Sequence, residues 1–240
     1  MEIAQLGWYL EQLAPGEYRE EVLKAIRETL QWAAHIPPEN RDDMSPLFAL
    51  LQAYSGPEVV ADLERSRPTW WEYSLLALAA LPAGEGVQHL ATLAGDPHVP
   101  LAYKPQLPFR MLAQASVHHP EAGVALIELA RAGQIPDQAG SQVGTALEGQ
   151  HLQFSHHLGD GMPLHRHGAN GSGIEDLLAR QDESQPQTVS YAQQFAAAQW
   201  SAEQIEQQLA LIEALLDATP SPAAVAALRQ ARESLRHGRH

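Results

Sequence analysis

The sequence predicts an all-α protein, on three observations. Apolar residues recur at helical spacing through most of the chain. Proline and glycine fall between those runs and punctuate them. Two helix-start signatures of the capping-box type occur, Thr69-Trp70-Trp71-Glu72 and Ser201-Ala202-Glu203-Gln204.

The 240 residues suffice for one large domain, or one domain with an extension. Apolar residues make up 45%, enough to bury a core and to argue against wholesale disorder. Cysteine is absent, which excludes disulfides, thiolate metal sites and cysteine nucleophiles. The longest apolar run, Leu75 to Leu81, is seven residues, far short of the roughly 18–20 needed to cross a bilayer. The first residues lack the basic and apolar regions of a secretory leader. The expectation is a soluble chain, cytoplasmic or periplasmic, or the soluble part of a longer anchored protein. Formal charge is −14. Residues 1–68 carry 12 acidic against 6 basic side chains, residues 69–200 carry 12 against 5, and only 201–240 approaches balance at 5 against 4. No basic stripe is available to neutralise phosphates, so a nucleic-acid partner is disfavoured.

Taken in order, residues 2–14 pattern as a helix with Ile3, Leu6, Leu10 and Leu13 on one face, ended by Pro15-Gly16. Glu17 to His35 is the second helix, with Tyr18, Val22, Ile26 and Leu30 inward and Glu20, Lys24 and Arg27 solvated. Pro37-Pro38 stops it. Ser45-Pro46 reads as an N-cap followed by a first-turn proline, opening a helix to Tyr54. Ser55-Gly56-Pro57 breaks the chain before Val59 to Arg65, which makes a helical hairpin. Thr69 caps the next helix, which runs to about Leu81 and returns through Val87, Leu90 and Ala94. A second pair follows, Phe109–Ala113 outward and Val124–Ala130 back. Pro136 starts a further helix to about Glu148. Gly140 and Gly144 lie inside it, so either the helix is weak or another backbone comes close.

The hairpins repeat local patterns. Tyr73-Ser-Leu-Leu-Ala aligns with Phe109-Arg-Met-Leu-Ala, and Gly86-Val87 with Gly123-Val124, at separations of 36 and 37 residues. Pro57-Glu58 is echoed by Pro120-Glu121. On these residues the stretch 45–149 resembles a degenerate HEAT-type α-solenoid, in which each helical hairpin buries its apolar face against its neighbours. The resemblance implies a right-handed helical-repeat domain over 1–149 and carries no residue-level function.

Periodicity fades from Gly149, and 150–173 reads as a Gly/His-rich loop. Residues 174–240 then read as a C-terminal helical segment. Helices are expected at Ile174–Arg180 and Thr188–Gln199, followed by an antiparallel hairpin broken at Thr219-Pro-Ser-Pro222.

Chemistry is concentrated in that loop. Five of the twelve histidines, His151, His156, His157, His165 and His167, fall within 17 residues. Neutral imidazole is a common ligand of divalent metals, and Asp160, Glu175 and Asp176 are available to complete a site. No His-Glu-x-x-His is present, and a solvated connector is the competing reading. Gly168–Gly173 lacks the strand and lysine of a phosphate loop, and no Gly-x-Ser-x-Gly elbow occurs. Trp70, Trp71 and Tyr73 are candidates for a partner-binding surface, against core packing. The expected function is a non-enzymatic interaction or scaffolding module with a protein partner and no cofactor. The alternatives are a metal-binding protein or metal-dependent enzyme using the histidine loop, and the soluble part of an envelope or secretion assembly factor.

Overall fold

The computed structural model describes residues 3–154, 191–195, 200–219 and 221–237. Among these residues it is all-α apart from two short strands. The chain divides into two compact units. The first comprises Met1–Leu51 with Phe154–Ser190, the second Gln52–Gln153 with Tyr191–His240.

The first unit contains α1 (Ile3–Leu13), α2 (Arg19–Ala34) and α3 (Ser45–Gln52). Its buried residues include Val22, Ile26 and Leu30 of α2 and Leu47, Phe48 and Leu50 of α3. The aliphatic stripe expected to anchor α1 does not do so, since Leu6 and Leu13 are exposed. Instead α1 buries Ala4 and Gly7. A Cβ on Gly7 would lie 2.5 Å from Leu50 Cδ2 and 3.1 Å from Val22 Cγ1. Small residues thus make the closest contact, while Leu6, Tyr9 and Leu13 are left outside. Tyr18, also expected inward, is exposed too. The end of α2 is closed by Arg41, which donates from Nε to Ile36 O (2.8 Å) and from Nη2 to Ala34 O (3.1 Å), satisfying carbonyls the helix leaves unpaired. At α3 the expected Ser45 cap is replaced by Asp43. Its carboxylate accepts the Ser45 N–H and hydroxyl, at 2.9 and 2.8 Å.

The second unit contains α4 (Pro57–Ser66), α5 (Trp71–Ala80), α6 (Val87–Ala94), α7 (Leu107–Ala115), α8 (Pro120–Arg131) and α9 (Asp137–Leu147). After these come β1 (Gln150–Phe154), β2 (Tyr191–Phe195), α10 (Ala202–Ala218) and α11 (Pro222–His237). Successive helices adjoin from α4 to α8, as do α10 and α11, and from α5 on each helix also adjoins the next but one. α5, α7, α9 and α11 adjoin in that order, and α6, α8 and α10 adjoin likewise. α5 and α7 are buried on almost every side; α5 is apolar nearly all round, as suits a buried helix.

Glycine sets the close approaches. A Cβ on Gly86 would lie 2.1 Å from the Leu78 carbonyl oxygen, so the turn into α6 rests on the backbone of α5. Gly140 and Gly144 meet Ala224 and Ala227 at 2.5 and 3.0 Å by the same measure. The Ser221 hydroxyl donates to the Asp137 carboxylate, tying the first turns of α9 and α11 together. This register makes α9 and α11 parallel. The helix that looked weak in sequence is therefore a close-packing partner of the C-terminal hairpin.

Two helix starts differ in outcome. At α10 the capping box forms. Ser201 Oγ accepts from Gln204 N at 3.2 Å, and Gln204 Oε1 accepts from Ser201 N at 2.9 Å. At α5 the expected box does not form. The Thr69 and Trp70 N–H groups go to Ser66 O (3.1 and 2.9 Å), so the turn leaving α4 uses the donors and the helix starts at Trp71. Glu72 pairs with Lys104 instead. Two further expectations fail. Residues 150–154 are strand rather than loop, and within the helix expected over 188–199 the described residues 191–195 are β2, which pairs with β1. Strand pairing overrides local helical preference there.

Replacing Gly86 or Gly140 by Ala is expected to cost about 1–3 kcal/mol, because a backbone rather than a flexible side chain must move. Gly133 (φ +67) has nothing within 4 Å, so Gly133→Ala is expected to cost only about 1 kcal/mol, from its left-handed backbone. Thermal unfolding of the three variants checks this order.

Candidate functional site

The three aromatic residues proposed from sequence sit mainly in the core. Trp70 and Trp71 are both buried and Tyr73 is half-buried. Neighbouring positions on a helix cannot share one seam, and the two indoles part accordingly. Trp70 meets Tyr73, with ring centres 6.3 Å apart. Trp71 stacks on Tyr103 at 5.2 Å, and the Arg67 guanidinium lies 5.6 Å from its ring centre. The Tyr103 hydroxyl donates to Pro68 O at 3.3 Å.

Of the five histidines, His156, His157, His165 and His167 lie outside the described residues, as do Asp160, Glu175 and Asp176. His151 is described and buried. It lies on β1, and its ring centre is 5.5 Å from that of Trp200. Among the described residues no three His, Asp or Glu side chains come together in a metal-binding arrangement.

What surrounds His151 is a polar clamp that the sequence did not announce. Two α7 side chains one turn apart, Arg110 and Gln114, hold the backbone of β1. The Gln114 amide donates to Leu152 O (2.7 Å) and accepts from Leu152 N (2.9 Å), which imitates a neighbouring strand. Arg110 donates to Gln150 O at 3.0 Å and to Gln142 Oε1 at 2.6 Å. Arg110 is buried, and its Nε has no partner among the described residues. Burial pulls its pKa down, although a guanidinium stays charged. Burial likewise depresses His151 to about 4. A hydrogen bond to the Ala146 backbone works the other way, and the His118 and Arg110 charges add to the depression. The imidazole is therefore neutral at pH 7, with Nε2 buried and unpaired among the described residues. At the end of α7, Ser116 Oγ donates to Ala113 O (2.7 Å) and lies 3.3 Å from Gln208 Oε1, which ties α10 to α7.

The surface feature that stands out is in the first unit. Of the seven large apolar side chains exposed among the described residues, five lie between residues 6 and 32. They are Leu6 (42%), Tyr9 (40%), Leu13 (64%), Tyr18 (41%) and Trp32 (64%). Beside Trp32 runs an open groove of about 280 Å³, lined by Ile3 from α1 and by Ala25, Glu28, Thr29 and Trp32 from α2. The sequence reading missed Trp32. The available signal was the seven-residue spacing of Tyr18, Ala25 and Trp32, offset from the buried stripe Val22, Ile26 and Leu30.

Compared with known proteins, the chain matches no family, no curated protein and no solved structure.

His151 makes stability depend on pH in a defined window. Its folded pKa lies below the unfolded value of about 6.5, so the unfolded chain binds the extra proton more readily. The contribution is complete above about pH 6.5 and is lost as pH falls towards 4. By linkage this amounts to on the order of 3 kcal/mol. His151→Gln is expected to flatten that slope in denaturant titrations at pH 4.5 and 7. Gln114→Leu is expected to cost about 1–3 kcal/mol at both pH values, because it leaves the Leu152 N–H and C=O without partners.

Proposed function

We propose that the chain is a non-enzymatic interaction module, in which HEAT-like hairpin stacking supplies a rigid body and the exposed apolar face of α1 and α2 supplies the contact. One observation carries this reading, the concentration of exposed large apolar side chains between Leu6 and Trp32. Large rigid aromatics on a surface are favoured interface anchors, since they bring contact area at low conformational cost. The helix-on-next-but-one order of the second unit supports the repeat architecture. The sequence adds an acidic balance that suits a protein partner carrying basic groups. Trp70 and Trp71 serve this reading as core, holding α5 in place.

A photo-crosslinker at position 32 of the full chain, irradiated in native lysate, is expected to trap a discrete protein. Leu6→Ser with Leu13→Ser is expected to cut that product several-fold, with melting temperature nearly unchanged. A crosslinker at exposed Leu101 serves as the comparison. Equal and diffuse labelling at both positions would remove the reading. The metal-binding alternative is tested separately by the melting temperature of untagged protein with zinc and with chelator.

A further inference from the structure

The outer face of α2 has a sharper pattern than exposure alone. Tyr18, Ala25 and Trp32 recur every seven residues, and Glu21 and Glu28 recur at the intervening positions. The spacings 3, 4, 3 and 4 are those of a helix face that pairs with another helix. Tyr18, Glu21, Glu28 and Trp32 are exposed and Ala25 is half-buried. The inner positions Val22, Ile26 and Leu30 are taken up by the core, so the outer stripe is a second, separate seam. Ile3 forms the far wall of the groove beside Ala25 and Trp32, which gives the seam depth at one end.

The charge around this seam selects its occupant. Among the described residues of the first unit, Glu17, Glu20, Glu21, Glu28, Asp42 and Asp43 are exposed, while Lys24 is the only exposed lysine or arginine. Lys24 reaches Glu28 at 3.9 Å, with both side chains about two-thirds exposed. Such a pair is weak and easily exchanged. We propose that this seam docks a basic amphipathic helix whose apolar residues, seven apart, pack between Tyr18, Ala25 and Trp32 and whose Lys or Arg side chains meet Glu21 and Glu28. A second copy of the chain is a poor occupant. Parallel pairing sets Glu21 and Glu28 against themselves, and antiparallel pairing sets Glu21 against Glu28, in molecules of charge −14 each. This inference rests on the interaction-module reading and names the partner of its surface.

The test uses the full-length chain and two synthetic helical peptides of about 21 residues, three heptads of α-helix. One carries Leu at the apolar positions and Lys at those facing Glu21 and Glu28, and the other has Glu in place of Lys. Binding is followed by calorimetry and oligomeric state by sedimentation. The Lys peptide is expected to bind, and Trp32→Ala is expected to weaken it about tenfold or more. Glu21→Lys with Glu28→Lys is expected to abolish that binding and to create affinity for the Glu peptide. All three positions are exposed, and unchanged helical circular dichroism confirms that the variants fold. Lys-peptide binding indifferent to these substitutions would overturn the inference. If the Glu peptide binds the native chain in a Trp32-dependent way, the charge assignment falls while the interaction reading stands. Trp32-dependent dimerisation at micromolar concentration makes a second copy the occupant and likewise overturns the assignment. If neither peptide binds and position 32 also crosslinks nothing in lysate, both readings fall together.

Discussion

Backbone-to-backbone approach at glycine sets the spacing of the second unit. Where Gly86 meets Leu78, and where Gly140 and Gly144 meet Ala224 and Ala227, there is no room for a Cβ. A helix interior loses about 1 kcal/mol per glycine relative to alanine, so Gly140 and Gly144 weaken α9 taken alone. The loss is offset only because α11 comes near enough for dispersion contacts along the whole crossing. The Asp137–Ser221 hydrogen bond then fixes the register of that crossing at its first turn. α9 and α11 are therefore stable as a pair, and α10 is held between α8 and α11.

A second constraint follows from the first. Burying α7 on nearly every side also buries Arg110 and half-buries Gln114, and polar groups taken out of water must find partners. They find them in β1. Leu152 receives from Gln114 both the donor and the acceptor a flanking strand would supply. The short strand thus has one edge on side chains of α7 and the other on β2. His151 is carried into the interior by this arrangement. That is why it is neutral at pH 7.

Much of this was legible from spacing alone. Helix positions, the proline and glycine breaks, and the Ser201 box are local signals, and local signals sufficed. The failures share a cause, since each depended on a partner distant in sequence. Thr69 lost its cap to a donor count set by the preceding helix. Leu6 and Leu13 faced outward because Gly7 fits under Leu50 and a leucine does not. Residues 191–195, inside the helix expected over 188–199, became a strand because β1 was there to pair with it. Gly140 and Gly144 stated the ambiguity correctly, and only Ala224 and Ala227 could resolve it. For the candidate surface, the seven-residue spacing of Tyr18, Ala25 and Trp32 was present in the sequence. The buried stripe Val22, Ile26 and Leu30 on the adjoining face concealed it.

α2 with its N-cap Tyr18 therefore carries two apolar faces, and the two are built differently. The inner one is continuous and branched or aliphatic, which suits permanent packing. The outer one alternates aromatic or small residues with glutamate. An unbroken apolar stripe there would favour self-association of any exposed helix. Interleaved carboxylates oppose pairing between identical chains while leaving the aromatic surface available. On the proposed reading, Glu21 and Glu28 perform two tasks with one charge. They keep copies of this acidic chain apart, and they reward a partner of opposite sign. Selectivity then comes from repulsion as much as from contact, so reversing those two charges should change which partner is accepted rather than merely weaken the surface.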